Sequence, residues 1–479
     1  MPPQVALVVF IVGIAGLFLL DRERGTRTSP GLWLPVIWLW IFGSREVSIW
    51  MASLRGGNEA IAGDLSLEGS PIDRAVYMGL IALGVAVLAM RGPKVWRFLL
   101  ANTPVILYFL YCLFSVVWSE YSDVAMKRWI KSLGDLVMVA IVLTEADVVQ
   151  AFKRVLARVT FLLIPLSVLL IKYYPNIGKG FKHYGTAIYT GVTTTKNILG
   201  VVCLICGLGT LWRLLAAYRD RKNPRRKRQL LVHSVVLAMV IWLLSMAHSM
   251  TGLACFLMAG TILTATGLSR FARRPSIVHV LVAGVVFASF ATLFMGAGSS
   301  SLEAMGKDVT LTGRTQIWRL VLGMTGNPLI GTGFESFWLP GWRRDQIWAI
   351  YWWHPNEAHN GYIEVFLNLG WIGVCLLAAL LYTGYRNTLA TLRTDSNLGR
   401  IKLAFFVAAV IYNYTEAGFR MLDPIWIVFL MVIMAVPKPI SRRGVRTRSA
   451  QTEVRQDQST QESQTDYALP ANSGTKGMF

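Results

Sequence analysis

The chain has 479 residues, of which 54% are hydrophobic and 15% charged, with a formal net charge of +21. Its mean hydropathy of +0.49 and its recurring apolar runs exclude a water-soluble globular domain and indicate a polytopic membrane protein. The runs lack the two-residue alternation of membrane strands, so the spans are predicted to be helices and the fold class is all-α.

In chain order, about 12–13 spans are predicted, near residues 4–20, 32–52, 74–90, 98–118, 129–145, 156–173, 197–215, 231–247, 251–268, 277–297, 361–382, 400–417 and 424–436. Together they define a transmembrane helical domain over residues 1–440. The first segment has no basic stretch before it and Arg22, Arg24 and Arg27 after it, the pattern of a retained span with its N-terminus outside. Alternate connections then carry the basic clusters: Arg91/Lys94/Arg97, Lys153/Arg154/Arg158, the run Arg219 to Arg228, Arg270/Arg273/Arg274 and Arg386/Arg393/Arg400/Lys402. The positive-inside rule assigns these to the cytoplasm and accounts for most of the net charge. Because the charge is dispersed over short loops without a folded basic domain, nucleic acid is not an expected partner.

The five cysteines all fall in predicted spans and read as small apolar side chains, including the isolated Cys203/Cys206 pair. Residues 441–479 turn polar and are expected to form a disordered cytoplasmic tail.

One connection differs from the others. Residues 298–359, between the tenth and eleventh spans, form a long loop expected on the outer face and composed of short helices. Thr312 or Gly313 is a candidate N-cap, Ile317, Trp318, Val321 and Leu322 mark an amphipathic stretch, and Gly326-Asn327-Pro328 breaks it. Trp338, Trp342, Trp348, Trp352 and Trp353 suit a headgroup-level position. Arg314 falls in the first turn of the helix, where free N–H groups and a guanidinium suit phosphate or pyrophosphate; a solvated loop arginine is the alternative. A second outer segment, 173–200, holds Lys179, Lys182, His183 and Lys196 without an acidic residue, and suits an anionic lipid-linked head group.

The segment HPNEAHNGYIEVFLNLGWIGV, 354–374, places His359 where the eleventh span begins. HPNEAH matches neither HExxH nor HxxEH, and Pro355 keeps the two histidines off one helical face, so no metal is expected. A neutral imidazole there can take a proton from a hydroxyl, and a helix-capping or headgroup-binding histidine is the alternative.

Four stretches, LWLPVIWLWIFGSREVSIWM, TTTKNILG, GRTQIWRLVLGMTGNPLIGTGFESFW and HNGYIEVFLNLGWIGV, resemble the O-antigen ligase and O-antigen polymerase family of bacterial membrane proteins, in particular its exopolysaccharide-polymerase-like branch. The resemblance spans about residues 30 to 435. It implies a lipid-sugar-dependent glycosyltransferase fold and transfer of a glycan from undecaprenyl pyrophosphate to an acceptor hydroxyl on the periplasmic face, without cofactor or metal. The acceptor would be a glycan or lipid A-core, and the location the bacterial inner membrane, with active face periplasmic and C-terminus cytoplasmic. Carried over by motif, Arg314 would bind pyrophosphate and His359 would activate the acceptor, with Lys196, Asn197, Asn360 and Arg420 as substrate-binding candidates. The family's basic residue in a small-residue turn is replaced here by Met250 in AHSMTG, which leaves His248, Lys196 or Arg420 to supply that contact. A glycan transporter or flippase is the alternative function; Asp135 and His279 are its candidate intramembrane ionisable residues.

Overall fold

Backbone groups in hydrocarbon must be paired within the chain, and helix occupies each of the predicted apolar segments. The computed structural model describes residues 1–22, 28–55, 70–181, 185, 187–268, 275–294 and 312–437. Lys182, His183, residues 298–311 and the tail 441–479 lie outside the described residues.

Residues Met1–Val436 form one compact unit. In chain order its helices are α1 Pro3–Leu20, α2 Trp33–Phe42, α3 Val47–Leu54, α4 Pro71–Ala89, α5 Pro93–Ala101, α6 Thr103–Phe114, α7 Ser122–Leu143, α8 Val148–Tyr173 and α9 Lys196–Arg219. They continue as α10 Arg226–Ala247, α11 Met250–Ala265, α12 Pro275–Phe294, α13 Thr312–Gly323, α14 Trp342–Ile350, α15 Gly361–Thr394, α16 Ser396–Tyr412 and α17 Pro424–Ile433. A short antiparallel hairpin, β1 Lys179–Phe181 and β2 Ala187–Tyr189, interrupts the outer segment before α9 and pairs Gly180 with Ile188.

Among the described residues, six single helices are long and apolar enough to cross a membrane, and up to eight spans result if two bent pairs are counted. The others are shorter or more charged than a simple span. The predicted span 32–52 breaks by 59° after Phe42. Arg45 fills that break, donating from Nη2 to the carbonyls of Ile177 (2.6 Å) and Thr193 (3.0 Å). The predicted span 98–118 bends by 84°, with Pro104 lacking an N–H at the start of α6 and Asn102 Nδ2 bridging the carbonyls of Phe98 and Ala435.

Burial separates the helices. α9 is buried over 78% of its most apolar stretch, whereas α1 is buried over only 6% and presents its side chains outward. Two charged groups are used structurally within the bundle. Asp135 on α7 is fully buried and accepts N–H bonds from Trp38 Nε1 (2.8 Å) and Leu422 (3.0 Å), tying α2 and the α16–α17 loop to α7. Lys402, grouped in the sequence with the basic residues of a cytoplasmic connection, is buried on α16, with Nζ 3.4 Å from the Met434 carbonyl. His279 contacts the Tyr385 hydroxyl at 2.9 Å. Four cysteines are buried free thiols, and Cys375 is an exposed free thiol on the apolar helix α15.

α15 is two helices joined at Gly370, whose φ of 62° only glycine adopts without penalty. Residues 327–333 lie against this break: Trp371 N–H donates to the Pro328 carbonyl (2.9 Å), and Thr332 N–H to that of Leu367 (3.0 Å). The long loop is thereby fastened to the helix that follows it.

Gly134 lets the edge of the Trp38 ring approach α7 closely, since a Cβ there would overlap the indole. Gly134→Val is expected to destabilise the protein by about 1–3 kcal/mol through overpacking, read as a lower thermal midpoint in detergent than wild type.

Candidate active site

The site is built from helix ends. Asn360 caps α15, its Oδ1 accepting from Tyr362 N (3.0 Å) and Ile363 N (3.1 Å), while its Nδ2 donates to the Tyr414 carbonyl (3.2 Å). Gly361 N–H donates to the Asn413 carbonyl (3.0 Å), and a Cβ at Gly361 would overlap the Asn413 side chain. Asn413 in turn accepts from Gly418 N (2.8 Å) and Phe419 N (2.7 Å). These bonds shape the loop between α16 and α17 and set Glu416 and Arg420 beside the start of α15. Asn360, a substrate-binding candidate in the sequence, has its amide engaged in this scaffold.

His359 stands at this junction. Its Nδ1 lies 2.7 Å from Glu357 Oε1 and 3.5 Å from Glu416 Oε2, and its ring stacks on Trp353 at 6.1 Å. From α13, Arg314 donates through Nη1 to the Thr415 carbonyl and through Nη2 to Glu416 Oε1 (3.2 Å). From the first turn of α9, Asn197 Nδ2 donates to Glu416 Oε2 (3.2 Å). Arg314, His359 and Asn197 thus meet on one carboxylate. Lys196 precedes Asn197 at the helix start, half-buried, where Thr195 caps the helix by accepting from Ile198 N (3.2 Å).

Arg420 forms the other wall. Its Nη1 donates to Glu357 Oε2 (3.2 Å), and its Nη2 lies 3.6 Å from Glu335 Oε2. His248 is exposed at the α10–α11 turn, and no described contact joins it to the carboxylates. Thr251, three residues on, reaches the site by a 3.0 Å contact between its hydroxyl and that of Thr415.

The two glutamates after His354 act differently. Glu357 pairs with His359 directly. Glu364, buried in the first turn of α15, accepts from the Ala358 N–H and from Trp338 Nε1 (3.0 Å), so it fixes the backbone beside the imidazole. Three non-glycine residues here hold left-handed backbone, Glu335 (φ 51°), His359 (φ 51°) and Leu422 (φ 65°). Such conformations cost about 1–3 kcal/mol each and gather where a surrounding structure imposes side-chain direction.

The loop residues 312–359 bring a small core of their own, with Ile317, Val321 and Ile347 fully buried against Phe337 and Leu367. Ile317, Trp318 and Val321 form the apolar face expected from the sequence; Leu322 lies past its edge and is 43% exposed. The tryptophans divide similarly. Trp338 and Trp348 turn inward, the latter donating to the Pro355 carbonyl (3.0 Å), whereas Trp342, Trp352 and Trp353 are exposed.

Charge pairing sets the protonation states. Burial alone would lower the His359 pKa, but Glu357 and Glu416 outweigh it and push it up to about 9. Burial alone would raise the Glu357 carboxyl, yet His359, Arg420 and Arg314 hold it below its ordinary value. At neutral pH the centre therefore holds an imidazolium and two guanidinium groups between carboxylates.

Glu357, His359 and Glu416 also form a group able to hold a metal ion, their ligand atoms lying within 4.8 Å of one another. HPNEAH alone does not show it, because Glu416 arrives from another element. A cation there would compete with Arg314 and Asn197 for Glu416 and with Arg420 for Glu357.

Sequence motifs point to Arg314 and His359 but pass over Glu416 and Glu335. The available signal for Glu416 is a carboxylate at the end of a predicted span, a position where ionisable groups are costly without partners.

Residues 233–378 match the family model described as O-antigen ligase. That stretch includes Arg314 and His359; Glu416 and Arg420 lie beyond it. The chain is also 23% identical, over 345 residues, to the exopolysaccharide production protein ExoQ of Rhizobium meliloti (strain 1021), covering 70% of this chain and 76% of that protein. With the apolar helices, these likenesses support an O-antigen ligase- or polymerase-like, multi-pass membrane protein.

Glu416→Gln is expected to lower the His359 pKa by removing one of its two carboxylate partners. Modification of His359 by diethyl pyrocarbonate, which requires the neutral ring and can be followed by peptide mass spectrometry, would then begin at lower pH than in wild type.

Proposed function

We propose that this protein transfers a glycan from undecaprenyl pyrophosphate to an acceptor hydroxyl on the periplasmic face of the bacterial inner membrane, as an exopolysaccharide or O-antigen polymerase or as an O-antigen ligase. The observation that carries the reading is the meeting of Arg314 and His359 on Glu416, which puts an anion-binding guanidinium and a titratable imidazole in one centre.

The acceptor oxygen attacks the anomeric carbon, and the bond from that carbon to the pyrophosphate oxygen breaks. The pyrophosphate departs with the electron pair, its developing charge held by Arg314 with Lys196 at the α9 start. The proton of the acceptor hydroxyl passes to His359. Because Nδ1 faces both carboxylates, Nε2 is the nitrogen that takes it. Arg420 keeps Glu357 ionised against the ring, and Asn360 holds the helix end in place.

No metal enters this scheme; the three cationic side chains occupy the carboxylates a metal would need. Transport is less well supported, because Asp135 and His279 have structural partners among the described residues. The ExoQ likeness favours an exopolysaccharide product.

The test is incubation of purified protein with an undecaprenyl-pyrophosphate oligosaccharide and acceptor, in buffer containing a chelator. Wild type is expected to extend or transfer the glycan. Arg314→Ala and His359→Ala are each expected to abolish product while the protein still accumulates in the membrane; normal product from both would overturn the assignment.

A base must be neutral before it takes a proton. With a pKa of about 9, only about a hundredth of the His359 rings are neutral at pH 7. The transfer rate at subsaturating donor is therefore expected to rise with pH up to about 9 and then level, and Glu357→Gln should move that limb to lower pH.

A further inference from the structure

Away from the acidic cluster, a groove of about 330 Å³ opens between α1, α2 and α8. This volume falls near the lower end of small-ligand clefts, ~300–1,000 Å³. Phe10 and Ile14 line it from α1, Trp33, Ile37 and Trp40 from α2, and Leu166 from α8. Contacts on either side of the groove hold α1 beside α8 and the residue that follows it. At one end the Tyr174 hydroxyl donates to the Pro3 carbonyl (3.2 Å); at the other, Phe18 packs edge-on against Phe161 with centroids 5.6 Å apart.

The basic end of the groove is polar in a specific way. Arg158, one turn before the groove-lining Leu162, lies over the Trp33 ring at 4.3 Å. Stacking of this kind uses the guanidinium face and leaves its in-plane N–H groups to find acceptors. Nη1 of Arg158 is buried and has no hydrogen-bond partner among the described residues. Arg154, one turn further along α8, donates to the Thr28 hydroxyl and adds a second positive charge at the same end.

We propose that the groove holds a hydrocarbon chain of an anionic phospholipid whose phosphate accepts from Arg158. The flank of α1 is an exposed apolar surface, with Val8, Ile11 and Val12 more than half exposed, which belongs against hydrocarbon. A bilayer lipid is the occupant that such a surface meets, and a phosphate oxygen supplies the half-buried Arg158 guanidinium with an acceptor of the kind its Nη1 lacks among the described residues. The cation selects an anionic headgroup over a zwitterionic one, since each arginine near the surface favours anionic lipid by about fivefold.

The full-length protein would be reconstituted in nanodiscs containing equal amounts of phosphatidylglycerol and phosphatidylcholine, re-extracted into detergent, and its retained lipids weighed by native mass spectrometry. Wild type should retain phosphatidylglycerol in preference. Arg158→Gln should reduce that preference about fivefold, Arg158→Lys should keep much of it, and Ile37→Trp, which fills the groove, should lower total retained lipid. Arg393→Gln, on the far end of α15, serves as a control and should match wild type. Equal retention of the two lipids by wild type would overturn the proposal, as would undiminished preference in Arg158→Gln or a second copy of the chain found seated on α1 by crosslinking. The assay involves no glycan transfer, so its outcome is independent of the proposed activity.

Discussion

The arrangement at the centre of this protein depends on one buried carboxylate. Glu416 receives Arg314 from α13 and Asn197 from α9 and faces His359 at the entry to α15, so three segments distant in sequence converge on two oxygen atoms. Charges removed from water persist only when paired and hydrogen-bonded. Each group is therefore the condition for the others' placement, and truncating any one leaves an uncompensated partner.

The backbone around this carboxylate is held by uncharged means. Asn413 and Asn360 satisfy free amide groups at helix ends, and Asp135 fixes Leu422 from within the bundle. Left-handed backbone occurs at Glu335, His359 and Leu422, and the Asp135 bond fastens the last of these. The loop that carries Glu416 and Arg420 is thus anchored by backbone-to-side-chain hydrogen bonds to the end of α16 and to α7.

The sequence makes much of this legible where the signal is local. Apolar length marks the helical segments, the Gly326-Asn327-Pro328 breaker marks the end of α13, and the chemistry of GR and HN singles out Arg314 and His359. It does not show which span is bent, because the breaks after Phe42 and at Asn102 are stabilised by Arg45 and Asn102 reaching carbonyls more than a hundred residues away. Glu416 is hidden for the same reason: its contact with Asn197 spans 219 positions. Composition likewise cannot tell that Trp338 turns toward Glu364 while Trp352 stays at the surface, since both are tryptophans in one aromatic-rich loop.

The position of Glu416 in the loop before the last helix also bears on biogenesis. Ribosomal synthesis proceeds from the N-terminus, so Arg314 and His359 emerge well before the acid that joins them. Until α16 and the following loop have been made and inserted, the nascent chain holds a guanidinium and an imidazole without their common counterion. A fragment ending before Glu416 would thus contain both motif residues, Arg314 and His359, yet lack the carboxylate on which they meet.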